Sequence, residues 1–105
     1  MSDKFENISV VKKSNVYFDG KCVSHSVLFP DGSRKTVGVI LPNSQLTFNV
    51  GAAEIMEITS GDCEVKIAGE PAFKAYTSGT QFKVPGNSSF EIHTKETVDY
   101  VCSFE

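Results

Sequence analysis

The sequence has no tryptophan, only two histidines, and no two cysteines in a Cys-x-x-Cys spacing. Such a chain offers none of the short His/Cys pairings that mark metal sites. It also lacks a basic excess. Ten Lys and Arg stand against 13 Asp and Glu, for a net charge of −3, so no cationic stripe follows a nucleic acid backbone. One or two placed cations would still suffice for a single phosphate. No run approaches the roughly 18 consecutive apolar residues of a membrane span. Met1-Ser2-Asp3-Lys4-Phe5-Glu6 lacks the basic head and apolar run of a secretory signal. The expectation is therefore a cytoplasmic protein, with Cys22, Cys63 and Cys102 as buried thiols within apparent strands. At 105 residues the chain supports one domain.

Helical periodicity is missing as well; short runs of β-branched and aromatic residues are cut by turn chemistry every roughly 8–12 residues, as in a sandwich or barrel. Pro30-Asp31-Gly32-Ser33 reads as a hairpin turn, with Pro setting φ, Asp bonding locally and Gly taking positive φ. Further breaks fall at Pro42-Asn43-Ser44, Ser60-Gly61-Asp62, Gly69-Glu70-Pro71, Ser78-Gly79 and Pro85-Gly86-Asn87-Ser88. Between them the expected strands are 22–29, 34–41, 45–50, 54–59, 63–68, 72–76, 81–84, 90–94 and 98–104. Several alternate cleanly. Val98, Tyr100, Cys102 and Phe104 share one face against Thr97, Asp99 and Ser103, the pattern of a sheet with one buried side. Residues 1–14 are polar and weakly patterned, and are expected to form an arm or extra edge strand ahead of a domain spanning 15–105. The whole is an all-β chain that closes into a small β-barrel or jelly roll.

Two of the breaks carry a motif. Glu54 is followed after six residues by Gly61, and Gly79 by Pro85 after five. These spacings resemble the two motifs of the cupin superfamily, which implies a single-domain cupin fold. In that resemblance Thr47 and Asn49 stand where the first motif has histidines, and Phe90 where the second has one. A catalytic metal needs about three nitrogen, sulfur or carboxylate ligands, which these residues do not supply, so no metal or other cofactor is expected. His25 and His93 read as surface residues. Alternation with Leu46, Phe48 and Val50 is expected to turn Thr47 and Asn49 toward the pocket.

A narrower resemblance covers about 15–104. Asn15-Val16-Tyr17-Phe18-Asp19-Gly20-Lys21, Thr36-Val37-Gly38-Val39-Ile40, Leu46-Thr47-Phe48, Glu54 to Gly61, Phe82-Lys83-Val84-Pro85, Ser88-Ser89-Phe90 and Asp99-Tyr100-Val101-Cys102 carry it. In these segments the chain resembles the single-domain cupin family of bacterial pyrimidine/purine nucleoside phosphorylases. The resemblance implies a metal-independent pentosyltransferase of broad specificity. Its substrates would be purine and pyrimidine nucleosides with inorganic phosphate as co-substrate, and its products free base and ribose 1-phosphate. Such chemistry passes through an oxocarbenium-like sugar and asks for a phosphate clamp, a ribose grip and stabilisation of the departing base. Arg34, with its forked guanidinium, is the candidate for phosphate, supported by Thr36; the bland alternative is a solvated hairpin arginine. Lys83 is a weaker candidate. Glu54, helped by Thr47 and Asn49, would accept from the ribose hydroxyls, unless it is only a turn carboxylate. Phe48, Phe90 or Tyr100 would stack on the base or else fill the core; stacking suits broad specificity, since directional bonds discriminate.

Three other readings remain open on the sequence: a metal-free cupin that binds a nucleoside or sugar without consuming it, a metal site built from Glu54, His25 and a cysteine, and a pure assembly module. Outward-facing apolar residues and the N-terminal arm point to a homodimer. No nucleic acid polymer and no membrane is expected among the partners.

Overall fold

The structure, a computed structural model, describes residues 3–105. In chain order the strands are β1 (Ser9–Val10), β2 (Asn15–Tyr17), β3 (Cys22–Leu28), β4 (Arg34–Ile40), β5 (Gln45–Val50), β6 (Glu54–Ser60), β7 (Cys63–Ile67), β8 (Lys74–Tyr76), β9 (Gln81–Val84), β10 (Ser88–Thr94) and β11 (Val98–Phe104). One short 3₁₀ turn, Phe18–Gly20, joins β2 to β3. Among the described residues no helix is long and apolar enough to cross a membrane.

The strands form two antiparallel sheets. The larger runs β1-β3-β4-β11-β6-β9, with β2 sharing the same edge of β3 as β1; the smaller runs β5-β10-β7-β8. The sheets lie face to face as an open sandwich, not a closed barrel. Three of the four edges are blunted because β1, β2, β8 and β9 are short, which limits the unpaired backbone offered to another chain; the fourth edge is the six-residue β5. Residues 9–17 follow the free edge of β3 in two pieces: Val10 opposite Val27, and Asn15 opposite Ser24.

Alternation decides what goes inside. On β10, Phe90, Ile92 and Thr94 face inward between Phe48 and Leu46 of β5 on one side and Ile67 and Val65 of β7 on the other. Ile92, Val65, Ile58, Ile40 and Val98 are wholly buried, each such side chain contributing about 1.5–3 kcal/mol. Cys22, Cys63 and Cys102 are unpaired thiols within this core, and burial pushes the Cys63 thiol up to about 11.

Two strand boundaries differ from expectation by two residues, for local reasons, and four others by one. β8 begins at Lys74 instead of residue 72, because Glu70 accepts the Ile67 amide (3.0 Å) and the Lys74 ammonium (3.1 Å), holding the turn wider. β10 begins at Ser88, two residues early: Asn87 takes the left-handed conformation (φ 54) and its amide reaches the Gly51 carbonyl (2.9 Å), completing the reversal in fewer residues. Gly61, the motif glycine, is required on two counts. Its φ is +86, and a Cβ there would run into the Thr97 carbonyl oxygen.

One end of the sandwich is sealed by hydrogen bonds. The Ser44 amide donates to Thr94 Oγ1 (3.1 Å), while Thr94 Oγ1 (2.7 Å) and Ser44 Oγ (2.9 Å) both donate to the Leu41 carbonyl. Ser44 is 2% exposed, so its amide has no water to turn to. Thr94→Val should cost about 1–3 kcal/mol of stability, read as a lower urea midpoint, with ligand binding at the other end unchanged. A variant as stable as the parent would show that the seal is not needed.

Candidate active site

At the opposite end the sheets part, and the inner face of the larger sheet changes from apolar to polar. Register lays the residues out in levels. At the rim Phe104 stands opposite Glu54, with the Arg34 guanidinium 4.5 Å above the Phe104 ring. Below, Ser26, Thr36, Cys102 and Met56 follow one another across four strands. Next come Ser24, Gly38, Tyr100 and Ile58, and last Cys22 and Ile40 beside Val98, where the core closes. The cavity over these levels holds about 400 Å³. Its other wall is Phe48, Asn49, Val50 and the Gly51-Ala52 turn, and Tyr17 of β2 lines one end.

Seven of the nine residues singled out in the sequence line this cavity: Arg34, Thr36, Phe48, Asn49, Glu54, Phe90 and Tyr100. Thr47 does not. It is exposed on the outer face of β5, opposite Glu91, whereas Leu46, Phe48 and Val50 point inward. The expectation that Thr47 and Asn49 face the pocket is thus one residue out of phase, because burying three large apolar side chains fixes the face and a single-residue slip inverts it. Asn49 reaches the cavity only at its lip. Lys83 is also displaced from consideration: it lies on the outside, paired with Glu105 at 2.8 Å. His25 bonds the Val11 carbonyl (3.2 Å) and His93 pairs with Glu91 (2.6 Å), both on outer faces. Among the described residues no three His, Cys, Asp or Glu side chains converge as a ligand group.

Each group is held by its neighbours. The Arg34 guanidinium lies on the Phe104 ring and donates to Ser26 Oγ (3.4 Å); among the described residues it pairs with no carboxylate. Asn15 Nδ2 donates to Ser24 Oγ (3.2 Å) and Ser26 Oγ (3.4 Å), tying β2 to this polar wall. Burial lifts the Glu54 carboxyl above its ordinary range, partly offset by a hydrogen bond from the Cys102 thiol. Cys102 is itself pushed up to about 12, by burial first and then by the adjacent Glu54, so at neutral pH it stays a protonated thiol beside the carboxylate. The Tyr100 phenol is raised further, by burial and then by Cys22, which its oxygen meets at 3.3 Å. It stays protonated and floors the cavity. Phe90, 2% exposed, is core that backs Phe48, the two rings stacked at 5.2 Å and 16°.

Ser24, Ser26, Asn15, Tyr17, Cys102 and Phe104 were not among the sequence candidates. Cys102 and Phe104 were accessible in principle, since they continue the inward alternation that includes Tyr100. Ser24 and Ser26 sit in a strand whose apolar residues fall on both faces, and gave no such signal.

The open two-sheet β-sandwich with a ligand-sized cavity at one end of its larger sheet has the cupin fold. A cupin of the RmlC-like kind from Shewanella frigidimarina superposes with a TM-score of 0.72, covering 95% of this chain and 90% of its own at 14% identity, a likeness of fold. The family model described as pyrimidine/purine nucleoside phosphorylase matches residues 12–104. A pyrimidine/purine nucleoside phosphorylase from Cupriavidus taiwanensis is 68% identical over 102 residues, covering 97% of this chain and 96% of its own. The crystal structure of a protein of unknown function from Acinetobacter sp. ADP1 superposes with a TM-score of 0.96 at 53% identity, covering 99% and 100% of the two chains. The chain belongs to the pyrimidine/purine nucleoside phosphorylase family.

Gly38 is what lets Tyr100 lie across the floor. A Cβ there would sit 2.8 Å from the tyrosine ring, its hydroxyl and the Val23 carbonyl oxygen. Gly38→Ala should tilt the ring, break the contact with Cys22 and cost about 1–3 kcal/mol. Thermal melting would show the loss, and a changed near-ultraviolet tyrosine signal would show the tilt. An alanine variant with both unchanged would mean the ring has room to spare.

Proposed function

We propose that this protein catalyses reversible phosphorolysis of purine and pyrimidine nucleosides, giving free base and ribose 1-phosphate without a metal. The observation that carries the reading is the pairing at the rim. A guanidinium that among the described residues pairs with no carboxylate lies on the Phe104 ring, and a half-buried carboxylate stands opposite Phe104 in register, above a cavity of about 400 Å³, a volume within the range typical of small-molecule sites. Family membership supplies the reaction class.

Arg34 holds phosphate by two oxygens, with the Thr36 hydroxyl beside it. Glu54, ionised, accepts from the vicinal ribose hydroxyls and stabilises positive charge growing on the sugar. A phosphate oxygen then bonds to C1′ as the C1′–N bond breaks; the bonding pair leaves with the base nitrogen, which takes up a proton from solvent. Nothing in the sequence of steps requires a covalent intermediate on the protein. The Tyr100 phenol and Cys102 thiol, both protonated, serve as donors and not as nucleophiles. The wall of Phe48 and Tyr17 meets the base by its face, which accommodates one ring or two.

The test is a product assay on chelator-treated protein with uridine and, separately, adenosine, each with and without phosphate. Free base together with ribose 1-phosphate, formed only with phosphate, is the expected result. No base in any tube, with thermal stabilisation by nucleoside, would leave a binding protein. Arg34→Ala should raise the KM for phosphate tenfold or more, on the scale of about 1.5–3 kcal/mol for a hydrogen bond to a charged group, while the domain stays folded.

The pH dependence follows from Glu54. Its pKa is raised by burial and the ionised form is the active one, so kcat/KM should fall as pH drops through a value above the ordinary carboxylate range. Cys102→Ala removes the donor that favours ionisation, and should move that acid limb to higher pH; Glu54→Gln should abolish the limb along with most of the rate. An acid limb that Cys102→Ala leaves in place would separate the thiol from Glu54.

A further inference from the structure

The turn between β2 and β3 is unusual in its backbone. Phe18 (φ 53), Asp19 (φ 55) and Gly20 (φ 94) are three successive left-handed residues. Glycine takes this conformation freely, but an aromatic residue does so only under strain, which surrounding structure must maintain. In an extended strand successive side chains point to opposite faces. The inversion at Phe18 removes that alternation and brings two consecutive rings to one place. Phe18 meets Phe48 edge-on at 5.1 Å and 83°, and Tyr17 meets the same ring at 6.3 Å and 70°.

Both rings remain open to solvent: Tyr17 is 45% and Phe18 40% exposed. Tyr17 also lines the cavity. By register it stands opposite Cys22, at the far end of β3 from Leu28, which pairs with Arg34. The cavity is therefore two-ended. Arg34 and Glu54 form its charged end, and Tyr17 with Phe48 its aromatic end.

Resting on the phosphorylase reading above, we propose that Tyr17 is a specificity-determining residue whose ring face stacks on the nucleobase, and that the left-handed Phe18–Gly20 turn holds it there. Phosphate and ribose occupy the charged end, and the base lies against Tyr17 and Phe48. A face contact reads ring area instead of hydrogen-bond pattern, so the site accepts bases of both sizes and favours the larger. Phe18 acts through Phe48 and Tyr17 as a brace.

The experiment compares Tyr17→Ala, Tyr17→Leu and Tyr17→Phe with the parent. Tyr17→Ala and Tyr17→Leu should raise the KM for adenosine and uridine roughly tenfold or more, at least as much for adenosine. The KM values for phosphate and, in the reverse direction, ribose 1-phosphate should not move. Tyr17→Phe, which keeps the ring, should restore parental values. Because Tyr17 is half exposed, the variants should fold, and Tyr17→Leu retains apolar bulk should alanine loosen the turn. Unchanged nucleoside KM in both ring-less variants would overturn the proposal, as would a parallel rise in the phosphate KM. Calorimetric titration of adenosine without phosphate separates the two readings. Parent protein that binds adenosine but does not turn it over, with binding weakened in Tyr17→Ala, upholds the stacking role while the phosphorylase assignment fails. Parent protein that neither binds nor turns over nucleoside overturns both.

Discussion

The site depends on β11 being held on both sides. It is hydrogen-bonded along its length to β4 and β6, so its alternation has no freedom to slip. Val98, Tyr100, Cys102 and Phe104 are fixed inward, and along these four residues the molecule passes from sealed core to open rim: Val98 is wholly buried, while Phe104 is 38% exposed. The one irregularity, a register shift against β6 between Asp99 and Tyr100, falls where core gives way to cavity. Because β4 and β6 take their register from β11, the placement of Arg34 and Glu54 at the same level is a consequence of this one strand.

The polar floor follows from the same constraint. Tyr100 would have no room beside a strand carrying ordinary side chains, and Gly38 provides it. The phenol then reaches across β4 to Cys22 and Ser24 on β3, so a buried polar group is satisfied at the point where the apolar core ends. Among the described residues no buried side-chain nitrogen or oxygen is left without a partner. On this side the cavity's polar atoms bond one another, and its charged groups lie at the rim, where water still reaches them.

Much of this was legible in the sequence, and the failures have specific causes. Period-two alternation and turn residues gave the strands and the all-β class, because each strand buries one face. The Glu54–Gly61 spacing marked a turn whose glycine has no room for a side chain. Glu54 was picked from its motif, Arg34 from its forked guanidinium and Tyr100 as one of several candidate rings, and all three line one cavity. Thr47 was misplaced because spacing was allowed to outweigh apolar burial in a six-residue strand. Ser24 and Ser26 were missed because β3 mixes small polar and apolar residues, leaving its faces undefined until Asn15 and Thr36 pack beside them. Tyr17 was missed because nothing in a run of three residues before a glycine reveals that the backbone will turn left-handed at Phe18.

The position of Phe104 has an electrostatic corollary. Arg34 and Glu54 are opposite charges on the two strands flanking β11, and among the described residues they form no ion pair with each other. Phe104, on the strand between them, offers its ring face to the guanidinium, while the carboxylate lies beside the Cys102 thiol. Among the described residues neither charge is in an ion pair, so both remain available to whatever bridges the gap. A molecule carrying an anion at one end and hydroxyls beside it would complete a circuit that the fold leaves open.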